Sequence, residues 1–241
     1  MTTSSNRTIA LVTGASHGIG LEVVRQLSAQ GMTVLLTARD LAKAETAAQE
    51  LAGLSVQPRA LDVDSDESVA KLAAQVDQEF GVLDILVNNA AAFADWTEIA
   101  SKVNMQAART VLETNLLGPW RVTQAFLPLL RKSKHGRIVN VSSGMGSHDD
   151  PPFGLTNPTV VSYPVSKAAL NALTSKFAAE LADTGIRVNA VCPGLTATHT
   201  GMEAMGGRPV PEGAASVVWA ALLPDDGPSG GFFRDGKPLK W

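Results

Sequence analysis

The chain has 241 residues, of which 45% are hydrophobic and 18% charged, the proportions of a folded protein with a large interior rather than of a disordered or coiled-coil chain. Its 20 basic and 23 acidic residues are scattered along the length, for a formal charge of -3, so no basic stripe marks a nucleic-acid or anionic-membrane partner. No apolar run approaches membrane-spanning length. The polar residues 1–7 lead straight into an apolar strand with no room for a signal peptide, and the one cysteine, Cys192, reads as buried packing, so a reducing, cytoplasmic setting is expected.

In chain order, residues 8–13 read as a buried strand, and Thr13-Gly14-Ala15-Ser16-His17-Gly18-Ile19-Gly20 then opens a helix over 19–30. A helix start presents free N–H groups and a positive dipole end that favour a phosphate. Gly14 permits the tight turn, Gly18 lets a pyrophosphate approach the backbone, and Gly20 lets the helix pack closely. The next strand, 33–38, ends at Ala38-Arg39-Asp40, where a doubly wound fold reads the adenosine ribose. An acid at Ala38 would suit NAD; Arg39 suits the 2′-phosphate of NADP(H), while its alternative is a surface charge with Asp40 capping the following helix.

Helix 41–52, strand 56–61, helix 66–80 and strand 85–88 follow, with Gly31, Gly53 and Gly81 as stops. A long helical pattern covers 103–132, with Pro128 expected to bend or nearly end it. Strand 137–141 leads through an Asp-, Pro- and Gly-rich loop, 147–158, to helix 163–183, stopped by Gly185, and then to strand 187–191. The Gly- and Pro-rich stretch 197–211 is expected to be a lid. Strands alternating with helices define an α/β fold, a doubly wound parallel sheet of Rossmann type in one domain with helices on both faces.

Tyr163 and Lys167 stand four residues apart, on one helix face about 6 Å apart along the axis. An ammonium there is expected to lower the phenol from about 10 toward neutrality, the range useful for proton transfer. By itself the spacing is equally that of two packing residues.

Six segments in order resemble the short-chain dehydrogenase/reductase family: residues 13–20, Asn88-Asn89-Ala90-Ala91, Asn115 within 114–118, Ser142-Ser143, Tyr163-Pro164-Val165-Ser166-Lys167, and Asn189-Ala190-Val191-Cys192-Pro193-Gly194. The resemblance implies that Tyr163 gives a proton to a carbonyl oxygen and that Ser143 hydrogen-bonds that oxygen. It implies that Lys167 tunes Tyr163 and holds the nicotinamide ribose, and that Asn115 holds a water beside Lys167. Ser143 is preferred to Ser142 because adjacent strand residues face opposite ways. Also implied are an NADP(H) site formed by Gly14, Ser16, His17, Gly18, Ile19, Gly20 and Arg39, with Asp62 and Val63 at the adenine, Asn89, Ala90 and Ala91 along the ribose, and Pro193, Gly194, Thr196 and Thr198 at the nicotinamide. For Asp62, Asn89, Thr196 and Thr198, ordinary cap, turn and loop roles remain open. Phe93, Trp96, Met145 and Phe153 are candidates for the wall of an apolar substrate pocket.

The chain departs from the family pattern in two places. Ala91 replaces a glycine and would be strained if its position requires positive φ. Ser143 and Tyr163 lie farther apart than is usual, so the loop 147–158 contains an insertion of several residues. That insertion is short beside the one carried by the family's animal monomeric members, which favours a homo-oligomer. The function expected is reduction of a ketone or aldehyde by NADPH, and the rival from another class is a sensor or scaffold that binds NADP(H) without turnover. A P-loop phosphotransferase would need a Gly-Lys-Ser/Thr ending that the turn lacks.

Overall fold

The computed structural model describes residues 7–93, 95–150 and 154–241. Its strands are β1 (Ile9–Val12), β2 (Thr33–Ala38), β3 (Val56–Ala60), β4 (Ile85–Asn88), β5 (Arg137–Val141), β6 (Arg187–Val191), β7 (Phe232–Arg234) and β8 (Lys237–Pro238). They form one sheet in the order β3-β2-β1-β4-β5-β6-β7-β8. The first seven run parallel; β8 turns back antiparallel to β7, a departure from the expected all-parallel sheet.

The near-continuous apolar strands follow from cover on both faces. Leu11, Leu35, Leu86 and Ile138 point to one layer, with α3 (Asp66–Phe80), α5 (Gly118–Leu130) and α6 (Ser162–Glu180). Ala10, Val12, Leu36, Val87 and Val139 point to the other, with α1 (Gly18–Ala29), α2 (Leu41–Gln49) and α7 (Val210–Ala221). Side chains alternate along each strand, so neighbouring residues enter opposite cores.

Local chemistry sets the helix ends. Asp40 caps α2 by accepting from Ala42 N at 3.0 Å, and Ser65 caps α3 by accepting from Ser68 N at 3.2 Å. Gly81 closes α3 in the left-handed conformation, φ 70°.

Three expectations needed correction. The pattern over 103–132 is not one helix: α4 (Met105–Leu112) passes into a single π turn, Glu113–Leu117, before α5. A single such turn adds one residue to the helical ladder, too local a change for a periodicity read over many turns to register. Pro128 lies inside α5, which ends two residues later. The helix α7 was not anticipated, since Pro209, Pro211 and Gly213 obscure its start. Its first residues, Val210 and Pro211, also remove the end of the expected lid 197–211, whose base is pinned by a bridge between Thr196 and Arg208. No helix among the described residues is long and apolar enough to cross a membrane.

Candidate active site

Strand order reverses direction of growth at β1, which has β2 on one side and β4 on the other. From the carboxyl ends of β1 and β4 the chain goes on to helices on opposite faces of the sheet, α1 and α5, and such a switch point is the usual ligand site of these sheets.

On the β1 side, Gly14 and Gly18 have φ 61° and 59°, a conformation that costs a side chain dearly. A Cβ on Gly14 would lie 2.7 Å from Ala90 Cα, and one on Gly20 would lie 2.5 Å from Asn89 Nδ2. Gly20 thus makes room for the β4 exit loop, more than for the sheet itself. Asn89 Nδ2 donates to Thr13 O and Gly14 O at 2.9 and 3.0 Å, and Asn89 N and Ala90 N both donate to Thr13 Oγ1 at 2.9 Å. The two loops are locked together by these bonds, so Asn89 acts first as a turn residue. His17 begins α1 without offering a side-chain cap, and its ring instead meets Ser16 Oγ at 3.1 Å. The N–H groups of the first turn, including those of Gly18 and Ile19, are left for a phosphate.

At the end of β2, Ala38 is buried and Arg39 is exposed, with no hydrogen-bond or ion-pair partner among the described residues. Asp62 Oδ1 accepts from Asp64 N at 3.2 Å, and Val63 is buried against Gly118. Ala91 is not among the residues of positive φ, so the alanine brings no backbone strain. The loop after β6 approaches from the other side: a Cβ on Gly18 would lie 3.4 Å from the Thr198 methyl, and Gly194 has φ 73°. Thr196 is different. Its hydroxyl turns to Pro193 O and Gly194 O, both at 3.2 Å, so it braces the loop from within. A Cβ-free cradle, an uncapped helix start and an unpaired guanidinium together fit a phosphate-bearing dinucleotide.

Deeper in the crevice, Ser142 and Ser143 point apart. Ser142 is buried and donates to Asn171 Oδ1 at 2.6 Å, whereas Ser143 Oγ accepts from Met145 N at 3.2 Å and lies near enough to the Tyr163 phenol to favour its phenolate form. Lys167 is 2% exposed, with Nζ donating to Val141 O at 2.8 Å and lying 5.5 Å from the centre of the Tyr163 ring. The ammonium is therefore held by a backbone carbonyl while lying over the ring.

This arrangement corrects the expectation for Tyr163. Burial pushes its phenol above the ordinary tyrosine value, the nearby Cys192 sulfur adds to the rise, and the Ser143 hydrogen bond only partly opposes it. Burial also lowers Lys167 from 10.5 to about 8, which weakens the cation that was to act on its neighbour.

Asn115, in the π turn, is fully buried. Its Oδ1 accepts from Ala92 N at 2.7 Å, and Nδ2 donates to Ala92 O and Ser166 Oγ at 2.9 and 3.0 Å. Its side chain is thus engaged by protein groups, tying the β4 exit loop to α6.

Two further residues reach the site without any signal in local spacing. Cys192, expected only to pack, accepts at Sγ from Gly144 N at 3.1 Å and Gly194 N at 3.3 Å, joining the serine loop to the loop after β6. Arg234 on β7 also donates to that sulfur, at 3.1 Å from Nη2, and pairs with Asp150 at 2.5 Å. The inserted loop is thereby anchored beside Gly144. Ser147 Oγ donates to Lys240 O at 2.8 Å, so the chain's last residues hold the same loop.

Of the pocket residues, Phe93 is 59% exposed yet stacks on the Tyr163 ring, centroids 5.1 Å apart and planes at 16°. Met145 is half-buried in the turn after Ser143, and Trp96 is 55% exposed. Phe153 lies outside the described residues.

Fold and crevice define a doubly wound α/β protein whose loops at the carboxyl ends of the strands gather a serine, a tyrosine and a lysine at the switch point. A match to the short chain dehydrogenase family extends over residues 8–207. The chain belongs to the short-chain dehydrogenase/reductase family. Carbonyl reductase (NADPH) 1 of Sus scrofa is 34% identical, covering 99% of this chain and 96% of the relative. The (+)-neomenthol dehydrogenase of Arabidopsis thaliana is 35% identical, covering 93% of this chain and 95% of its own. A solved structure, the NADPH-bound carbonyl reductase from chicken fatty liver, is 29% identical with a TM-score of 0.83 and covers 98% of this chain and 100% of that one.

Proposed function

We propose that the chain reduces a ketone or aldehyde to an alcohol with NADPH, and the observation that carries this reading is the Ser143–Tyr163–Lys167 cluster at the switch-point crevice. NADPH, when bound, supplies the hydride. The phosphates are read by the N–H groups over Gly14, Ser16, His17, Gly18, Ile19 and Gly20, and the 2′-phosphate by Arg39. Asp62 and Val63 border the adenine, Asn89, Ala90 and Ala91 the ribose, and Pro193, Gly194 and Thr198 the nicotinamide, where any contact from Thr196 is through its backbone.

The residues divide the proton chemistry. Ser143 Oγ donates a hydrogen bond to the substrate oxygen, where negative charge develops. Tyr163 gives that oxygen its proton. A phenol pushed up by burial keeps its proton at neutral pH, which is the state an acid needs, and an alkoxide is basic enough to take it. Lys167, protonated below about 8, supports the phenolate left behind. Phe93 and Met145 form the apolar wall along which the substrate lies, and the inserted loop borders it.

NADPH oxidation across a panel of ketones, aldehydes and quinones tests the reading. Turnover of at least one class is expected; tight NADPH binding with no turnover on any would move the conclusion to a non-catalytic NADP(H) sensor or scaffold. Arg39→Ala is expected to raise the KM for NADPH about tenfold or more and leave NADH nearly unchanged, since a charge-assisted bond to phosphate contributes about 1.5–3 kcal/mol. Equal losses with both cofactors would refute the assignment of Arg39.

The same reading takes the protein as a soluble cytoplasmic homo-oligomer. Exposed Met105, Leu117, Trp120 and Val165 on α4, the π turn, α5 and α6 support an apolar contact between copies. Light scattering that finds a clean monomer would overturn it.

A further inference from the structure

We propose that Glu98 is a positioning residue for Tyr163, an inference that rests on the reductase reading for its kinetic consequences alone. Tyr163 is the second residue of α6, and Val161 before the helix provides no side-chain cap. The helix start would leave N–H groups unsatisfied. They are satisfied instead from the segment that follows β4. Glu98, only 9% exposed, accepts at Oε2 from Val161 N at 3.2 Å and from Ser162 N at 2.9 Å. Ser162 Oγ donates to the same carboxylate, 2.6 Å from Oε1 and 2.5 Å from Oε2. Val160 N donates to Glu98 O at 3.0 Å, and Ile99 bridges Thr159.

The residue entering the helix explains why a firm grip is needed. Val160 is β-branched yet has φ 57°, a conformation that persists only where its surroundings impose it. A carboxylate suits the task because it accepts several N–H and O–H bonds at once and lies at the positive end of the helix dipole.

The placement also ties this grip to the reacting phenol. The segment carrying Glu98 begins at Ala92, which Asn115 joins to Ser166 on α6, and includes Phe93, stacked on the Tyr163 ring. Tyr163 is thus held just before its position by Glu98, just after it by Asn115, and across its ring by Phe93. Releasing Glu98 frees both the helix start and the ring's outer neighbour, whereas the glycine turn and Arg39 lie on β1 and β2 and keep their geometry.

The chain has one tyrosine, so protein labelled with tyrosine carrying 13C at Cζ alone gives a single resonance that reports Tyr163 directly. Glu98→Ala is expected to lower kcat about ten- to a hundredfold, as small misplacements of a reacting group do, with NADPH affinity, read by fluorescence titration, held within about twofold. Its tyrosine resonance should shift or broaden. Glu98→Gln, which keeps an acceptor for the backbone and a donor for Ser162, should restore most of both. Ser162→Ala, a milder change, should show the same effects in smaller degree and serves if Glu98→Ala does not fold. Unchanged kcat and resonance in folded Glu98→Ala or Ser162→Ala, a loss of NADPH affinity in step with kcat, or a Gln variant as impaired as the Ala variant would each overturn the proposal. If the unaltered protein turned over no carbonyl, the reductase reading would fail, and the resonance would still decide the role of Glu98.

Discussion

Replacing Tyr163 by Phe is expected to lower kcat for carbonyl reduction by about 10²–10⁴-fold, the usual contribution of a positioned general acid, while NADPH affinity stays unchanged. The substitution removes one oxygen and keeps the ring, so the stack on Phe93 and the packing around the ring survive. What is lost is the proton donor and the phenol's interaction with Ser143. Substantial residual turnover would show that another group delivers the proton. The same residue carries a second, independent check. With one tyrosine in the chain, phenolate absorbance at alkaline pH comes from Tyr163 alone. Burial pushes the folded phenol up, so absorbance in the folded chain should rise at higher pH than in urea-unfolded chain. A folded transition at or below the unfolded one would mean that Lys167 and Ser143 outweigh burial.

Lys167→Met should abolish most turnover and raise the KM for NADPH, and it should also change how stability depends on pH. Burial lowers the Lys167 ammonium from 10.5 to about 8. Between those values the unfolded chain binds a proton that the folded chain has lost, so the lysine makes stability rise with pH across that window. Below about 8 the folded chain carries the full cost of burying the charge, roughly 3 kcal/mol by the usual conversion of about 1.4 kcal/mol for each pH unit. The methionine variant has no such group. Urea unfolding of both proteins at pH 7 and pH 10 should therefore show the difference in stability moving by about 2–3 kcal/mol in favour of the lysine protein at the higher pH. A difference that stays constant would place the ammonium in a better solvated or better paired setting than the bond to Val141 O suggests. On the proposed reading the cost falls at the site of chemistry, where proteins commonly hold strained or desolvated groups.

Much of the molecule could be read from residue order. The inner strands are largely apolar because both faces are covered, unlike the partly buried edge strand β3, and the glycine turn is visible because glycine adopts the φ found at Gly14 and Gly18 without the cost a side chain brings. The spacing of Tyr163 and Lys167 placed them on one helix face, and strand alternation separated Ser142 from Ser143. These features depend on neighbours a few positions apart, and their physics is carried by period and conformation. The sign of the Tyr163 perturbation depended instead on the burial of the phenol and on the Cys192 sulfur beside it, neither of which is encoded in a four-residue interval. Likewise Arg234 meets Cys192 and Asp150, and Glu98 meets Ser162, only after the sheet is assembled. Tertiary packing alone decides such contacts, because desolvation and hydrogen-bond partners are properties of a folded environment to which distant segments contribute at once.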